Sequence, residues 1–207
     1  LDTSDWVFHP NGVDKNFLEL DIAPKRSKKE IKTILYAGNI GKGQGLERII
    51  PDVAKRLGNN FSFVIIGDGV CKNKLKDRIK KFNLENVIIK DPIKRESLIE
   101  EYLEADMLFL QLDKMPAFER SLPSKIFEYA VTGKPIIAGL SGYSRKFLND
   151  NIPHALLFNP GSINECCDAI KAGSDISVDF KSIQAFKKEY SRESIMDKLS
   201  IEILRQV

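Results

Sequence analysis

Short, solidly apolar runs alternate with amphipathic stretches along most of this chain. The run Thr33-Ile34-Leu35-Tyr36-Ala37 ends at Gly38 and reads as a buried strand. Leu46, Ile49, Ile50, Val53, Ala54 and Leu57 follow at helical spacing, with Gly58 as the stop. The same logic predicts strands at 61–66, 87–89, 107–110, 135–138 and 155–158. Leu75, Ile79 and Phe82 mark a second helix, and Leu98, Ile99, Tyr102 and Leu103 a third. Further helices are predicted at 124–132, 162–172, 180–189 and 192–205. Residues 1–31 are polar and irregular, with a basic cluster at Lys25, Arg26, Lys28 and Lys29.

Strands that are apolar throughout are buried on both faces, and alternation with helices makes a sheet parallel with right-handed crossovers. The expected fold is therefore α/β, a doubly wound, mainly parallel, six-stranded Rossmann-like sheet with C-terminal helices. Residues 1–31 read as an N-terminal extension or linker, 32–175 as the Rossmann-like domain and 176–207 as C-terminal helices that pack on the domain or return toward a further, N-terminal one. Such sheets bind ligands beyond the carboxyl ends of their strands. Those ends are the loops after Ala37, Ile66, Ile89, Leu110, Ala138 and Phe158.

Composition narrows the function classes. The chain has 207 residues, 43% hydrophobic and 29% charged, which suits one large α/β domain. A net charge of +3 is too small to argue for nucleic acid. No run reaches the roughly 18 apolar residues of a membrane span. The chain begins at Leu1, so a piece of a longer protein is expected. Of the three cysteines, Cys166 and Cys167 are adjacent on a core stripe. An odd count implies no disulfide framework and fits a reducing cytoplasm. With only His9 and His154, a histidine-rich metal site is not expected. The basic run Lys72, Lys74, Lys76, Arg78, Lys80 and Lys81 reads as a solvated helix face, the alternative being contact with an acidic membrane surface.

Three loops carry candidate chemistry. Gly38-Asn39-Ile40-Gly41-Lys42-Gly43-Gln44-Gly45 joins the first strand to the first helix and adds the charge of Lys42. It departs from the P-loop, which needs Lys-Ser/Thr after its last glycine, and from G-x-G-x-x-G, whose sixth position is Arg48 here. Its glycines serve either a phosphate or packing alone. Gly67-Asp68-Gly69 is either a tight turn beside a ligand or the source of a ribose-binding acid, Asp68. Leu122-Pro123-Ser124-Lys125-Ile126-Phe127-Glu128 opens a helix. Pro123 suits a helix start, and Ser121 or Ser124 suits its cap. A helix N-terminus attracts anions, and Lys125 strengthens that pull. Lys125 and Glu128 could instead form a local salt bridge, but lysine before glutamate is the poorer order and a first-turn cation opposes the dipole. Glu128, a pure acceptor when ionised, can take two hydrogen bonds from a sugar diol. No Asp-x-Asp, His-Glu-x-x-His or Gly-x-Ser-x-Gly motif is present.

Taken in order, these motifs resemble a known family. Pro10-Asn11-Gly12-Val13-Asp14 resembles the linker that opens the C-terminal domain of retaining family-4 glycosyltransferases. Tyr36-Ala37-Gly38, Ile66-Gly67-Asp68-Gly69, Ala105-Asp106, Pro123-Ser124-Lys125 with Glu128, Gly133-Lys134-Pro135 and Tyr190-Ser191-Arg192 follow in that family's order. The resemblance runs from about residue 8 to about 206. Gly38-Asn39-Ile40-Gly41 and the Pro-Ser-Lys form look most like transferases of amino sugars in surface polysaccharide synthesis.

The resemblance implies one half of a GT-B fold, the half that binds a nucleotide sugar. A UDP-sugar is the expected partner, and no metal or cofactor is required. Glu128 matches the glutamate that holds the donor ribose. Lys125, with Leu122, Pro123 and Ser124, matches the helix end that meets the diphosphate. Pro92 and Ile93 match the stretch that packs on the base. Gly38, Asn39, Gly41, Gln44, Gly67, Asp68 and Gly69 complete the expected donor site, with Lys125 and Lys42 stabilising the leaving diphosphate. Many members carry arginine after the first glycine and lysine before a later one, where Asn39 and Gln44 stand here. The family's other glutamate, eight positions before Glu128, falls on Arg120, with Glu119 one residue away. The acceptor half is expected from an N-terminal domain absent from this chain. The expected place of work is the cytoplasm, with contact at the inner face of the membrane. A nicotinamide-dependent oxidoreductase, a GT-B epimerase and a noncatalytic nucleotide-binding domain are the competing readings.

Overall fold

The structure, a computed structural model, describes residues 9–20 and 29–205. Of the N-terminal basic cluster, Lys25, Arg26 and Lys28 lie outside the described residues. The strands are β1 (Lys32–Ala37), β2 (Phe61–Ile66), β3 (Val87–Lys90), β4 (Met107–Gln111), β5 (Ile136–Gly139) and β6 (Ala155–Phe158). The helices are α1 (Lys15–Leu18), α2 (Leu46–Leu57), α3 (Lys72–Lys81), α4 (Arg95–Glu104), α5 (Lys125–Ala130), α6 (Gly142–Asn151), α7 (Ile163–Gly173), α8 (Phe180–Tyr190) and α9 (Arg192–Arg205).

All strand pairs are parallel, and the sheet order is β3-β2-β1-β4-β5-β6. The chain builds outward from β1 to β3, then returns through α4 to lay β4 on the other side of β1. That reversal leaves a crevice between the carboxyl ends of β1 and β4, where doubly wound sheets bind ligands. Both faces of the sheet are covered. Ile34, Tyr36, Phe63, Ile65 and Phe109 pack toward α2, α3 and α7, while Leu35, Ala37, Val64, Ile66 and Leu110 pack toward α4, α5, α6 and α8. The apolar runs are thus explained by two-sided burial, but only for the four inner strands. The edge strands β3 and β6 are partly exposed.

Pro51 sits inside α2 and has no N–H to give the carbonyl of Glu47, four residues earlier. Arg78 of α3 fills that gap. Its guanidinium donates to the Glu47 carbonyl at 2.8 Å and to the Asp52 carboxylate at 2.8 Å. Lys72 is also buried, bonded to Asp91 at 2.7 Å. The basic run of α3 is therefore not one solvated face. Lys74, Lys76, Lys80 and Lys81 are exposed, while Lys72 and Arg78 hold the domain together.

Two features depart from the sequence pattern. Helix α6 was not foreseen, because its buried side is only Ser144, Phe147 and Leu148, too short a stripe to show a period. The stretch around residue 14 is more ordered than its polarity implies. Asp14 caps α1 by accepting from the Asn16 N–H at 3.2 Å, and Val13 and Phe17 are fully buried. Helix α8 joins the core through an aromatic group in which Phe186 and Tyr190 lie 4.6 Å apart and Phe127 and Phe147 5.6 Å apart. Helix α9 buries Ile195 near its start but leaves Met196, Ile201, Ile203 and Leu204 exposed. Among the described residues no helix is long and apolar enough to cross a membrane.

Candidate functional site

The glycine loop after β1 is tied down by side chains from within it and from β1 and β4. The buried Tyr36 hydroxyl donates to the Asn39 carbonyl at 2.6 Å. The Gln44 side-chain oxygen accepts from Asn39 Nδ2 and from the Gly41 N–H, each at 3.2 Å. Gln111, at the end of β4, donates to the Gln44 carbonyl at 2.8 Å and accepts from the Gly161 N–H at 3.3 Å. The Asp113 N–H reaches the Gly43 carbonyl at 2.8 Å, and the Asp113 carboxylate pairs with Arg48. Gln111 is therefore a residue that sequence reading missed. Its one signal was a polar side chain closing an otherwise apolar run.

The loops after β1 and β2 lie against each other, which accounts for two of the glycines. Gly67 has φ +151°, and a Cβ there would run into the Gly38 carbonyl, whose carbon would be 2.9 Å away. Gly38 has φ +147°, and a Cβ there would meet Lys125, whose Cε would be 2.7 Å away. The Ile40 N–H donates to the Asp68 carbonyl at 2.7 Å. Asp68 itself is exposed; its carboxylate accepts from the Gly69 N–H at 2.8 Å and lies 3.8 Å from Lys72. Its bonds are thus made within its own loop and to the next helix.

Lys125 and Glu128 open α5 but do not pair with each other. Neither serine caps this helix with its side chain. Ser124 has helical backbone angles and no capping bond, and the Ser121 hydroxyl donates to the Phe118 carbonyl at 3.0 Å. The Lys125 side chain instead runs back over Gly38. Burial pushes its pKa below the usual lysine range, with the Glu128 charge opposing that shift. No hydrogen bond or ion pair holds the Lys125 ammonium among the described residues. A desolvated, unpaired cation at the carboxyl end of a parallel sheet is costly alone and favourable once an anion arrives. Glu128 turns the other way. One carboxylate oxygen lies 3.4 Å from Arg95 Nη2 and the other 3.4 Å from the Tyr102 hydroxyl. Burial chiefly, then the Glu128 charge, drives the Tyr102 pKa far above the usual phenol value.

Eight of the expected residues line one or other of two cavities. One, of about 340 Å³, is lined by Gly38, Asn39, Gly67, Asp68, Pro92 and Ile93 beside apolar Ala37, Ile66 and Leu98. The other, of about 330 Å³, is lined by Asn11, Asp14, Arg95, Ser124, Glu128 and Arg192. Lys125 reaches Gly38 on the wall of the first, while three residues further on Glu128 faces the second. Gly69, Leu122 and Pro123 are half-buried and line neither. Gly41 and Gln44 act within the loop, and Lys42 is exposed on it. Glu119 stands at the start of α6, where its carboxylate accepts from the Ser141 hydroxyl at 2.9 Å and its carbonyl from the Tyr143 N–H at 2.7 Å. Arg120 is exposed. Larger clefts at the two sheet edges, near Lys76 and near Arg145, contain none of the expected residues.

Comparison with known proteins bears on the family and the fold. The family model described as glycosyl transferases group 1 matches residues 19–176. The chain is 26% identical over 140 residues to the 2-deoxystreptamine N-acetyl-D-glucosaminyltransferase of Niallia circulans, covering 66% of this chain and 34% of that protein. It is 26% identical over 210 residues to the putative colanic acid biosynthesis glycosyl transferase WcaI of Escherichia coli K12, covering 97% of this chain and 50% of that protein. This chain thus spans half or less of the length of these relatives. Among solved structures, Anabaena HepE in complex with UDP-glucose superposes with a TM-score of 0.70 at 14% identity, over 86% of this chain and 49% of that one. At that identity the likeness is one of fold.

Proposed function

The chain belongs to the group 1 glycosyl transferases, and on that premise we propose that it is the donor-binding half of an enzyme that takes its sugar from a nucleoside diphosphate, UDP first. The observation that carries this reading is the Lys125 ammonium, half-buried and, among the described residues, unpaired beside Gly38 at the carboxyl end of β1. The diphosphate of the donor supplies the missing anion, assisted by the first N–H groups of α5. The base lies in the cavity of Pro92 and Ile93, and Glu128 accepts the ribose hydroxyls. In transfer the bond from the sugar to the phosphate breaks, and charge gathers on the leaving diphosphate. A fixed cation where that charge develops lowers the barrier. Lys125 does this from a water-poor site. Lys42, exposed on the glycine loop, is the second cation in the same reading.

The sugar is transferred with retention, an N-acetylamino sugar being the first donor to try, and the acceptor is a polysaccharide or a lipid-linked saccharide. The acceptor is held by a further domain, on which the exposed apolar residues of α9 close. This half alone binds the donor and does not transfer sugar. The enzyme works in the cytoplasm, at the inner face of the membrane when the acceptor is lipid-linked. A nucleotide-sugar epimerase would use the same donor site, and release of an altered sugar without any acceptor would favour it.

A thermal-shift panel of UDP, GDP, ADP and NADH tests the central claim. Saturation at 100 times Kd adds ~2.7 kcal/mol, which at this size moves the midpoint by roughly 5–10 °C. UDP should give the largest shift. Equal silence toward all three diphosphates would remove the donor site, and a response to NADH alone would replace it.

A further inference from the structure

Resting on the donor-site reading, we infer that Arg95 is a positioning residue that makes this site selective for ribose over deoxyribose by holding the Glu128 carboxylate. Arg95 is held from two directions besides Glu128. Its guanidinium lies 3.3 Å from the Asp14 carboxylate and 5.4 Å over the ring of Phe17, which is fully buried. Arg192 closes on the same Asp14 oxygen at 3.2 Å. Two arginines and two carboxylates thus balance around one cavity, with Asp14 brought from the N-terminal segment and Arg192 from the last helix.

This network leaves Glu128 with the acceptor capacity a sugar diol needs. Each carboxylate oxygen has two lone-pair sites. Arg95 occupies one on the first oxygen and Tyr102 one on the second. One site per oxygen stays open, matching the two hydroxyls of a ribose. Arg95 also decides which cation Glu128 serves. Lys125 lies three residues earlier on the same helix, the spacing at which such pairs form. Without Arg95 the carboxylate would swing to Lys125, which would take it from the sugar. A lysine at position 95 cannot substitute fully, because one ammonium lacks the planar fork that spans Asp14 and Glu128 together.

The test compares binding of UDP and 2′-deoxy-UDP to the 207-residue chain by calorimetry. A hydroxyl donated to a carboxylate is worth roughly tenfold or more in affinity, so the unaltered chain should prefer UDP by about that factor. Arg95→Met should bring the two affinities to within about threefold, mainly by weakening UDP. In a Glu128→Gln background the same change should do nothing further, since Arg95 acts through that carboxylate. Arg95→Lys should restore part of the preference, and serves also if Arg95→Met does not fold. Equal loss for both nucleotides, or an undiminished effect beside Glu128→Gln, would mean that Arg95 only supports the fold. A chain that prefers UDP with or without Arg95 would overturn this inference and leave the donor site standing. Binding of neither nucleotide by the unaltered chain would overturn both.

Discussion

Replacing Lys125 by methionine should weaken nucleotide binding and leave the free protein as stable as before, or more so. The side chain runs over Gly38 with its ammonium half-buried and unpaired. Methionine keeps most of the aliphatic volume and deletes the charge, so the desolvation cost disappears while packing stays. A gain in stability of about 0–1 kcal/mol is expected, since exposure is partial and solvent screens part of the charge. Binding responds the other way. A hydrogen bond from a charged donor is worth about 1.5–3 kcal/mol, which is roughly 10- to 150-fold in UDP affinity. Uridine, lacking phosphate, should bind both forms alike. The acid–base behaviour gives a second readout. Burial favours the neutral amine, so Lys125 loses its proton at lower pH than an ordinary lysine. UDP affinity should therefore decline as pH rises through that lowered pKa, and Lys125→Met should abolish this limb. Calorimetry with UDP and uridine, paired with thermal melts of the free forms, decides the matter. An affinity for UDP within threefold of the unaltered chain, or a melt lowered by several degrees, would refute the reasoning.

Two further predictions concern the scaffold. Gly67→Ala places a Cβ against the Gly38 carbonyl at a backbone φ of +151°, whereas Gly58→Ala, at φ +64°, meets nothing within 4 Å. The second should cost about 1–3 kcal/mol from strain alone, because φ +64° with ψ −157° is a region that only glycine enters freely, and the first about 2–6 kcal/mol from collision plus strain; equal losses in urea melts would show that the two loops do not touch. His154, buried at the start of the β6 segment, is driven down to about 4 from 6.5 by burial, with the Ala130 backbone opposing. The unfolded chain takes up that proton first, so stability present above pH 6.5 is lost as pH falls toward 4, by ~2 kcal/mol between pH 8 and pH 5. His154→Leu should flatten that part of the stability profile, and an unchanged slope would assign the acid sensitivity elsewhere.

Much of the architecture was legible because burial imposes local periods. The inner strands announced themselves as unbroken apolar runs, since helices cover them on both faces. Cys166 and Cys167 read as packing and are buried in the core. Where a structural reason is non-local, the pattern was silent or misleading. Helix α6 buries too few residues to mark a period. The serines before α5 looked like caps, yet Ser121 bonds within the preceding turn. Arg78 looked like one more surface cation, although the missing N–H of Pro51 on another helix assigns it an internal partner.

The same division runs through the site. Sequence alone determined the residue types: a glycine loop at a strand end, a lysine opening a helix and a glutamate one turn on. Those are local matters of backbone freedom, helix start and spacing. Tertiary structure decided the partners. The sheet order set β4 beside β1, and only then could Lys125 run over Gly38 rather than pair with Glu128. It also brought Arg95 to Glu128 across 33 residues and Gln111 to Gln44 across 67. A charge or an amide takes whichever partner the packed core puts within about 3 Å, and that choice belongs to the whole fold and not to its neighbours in the chain.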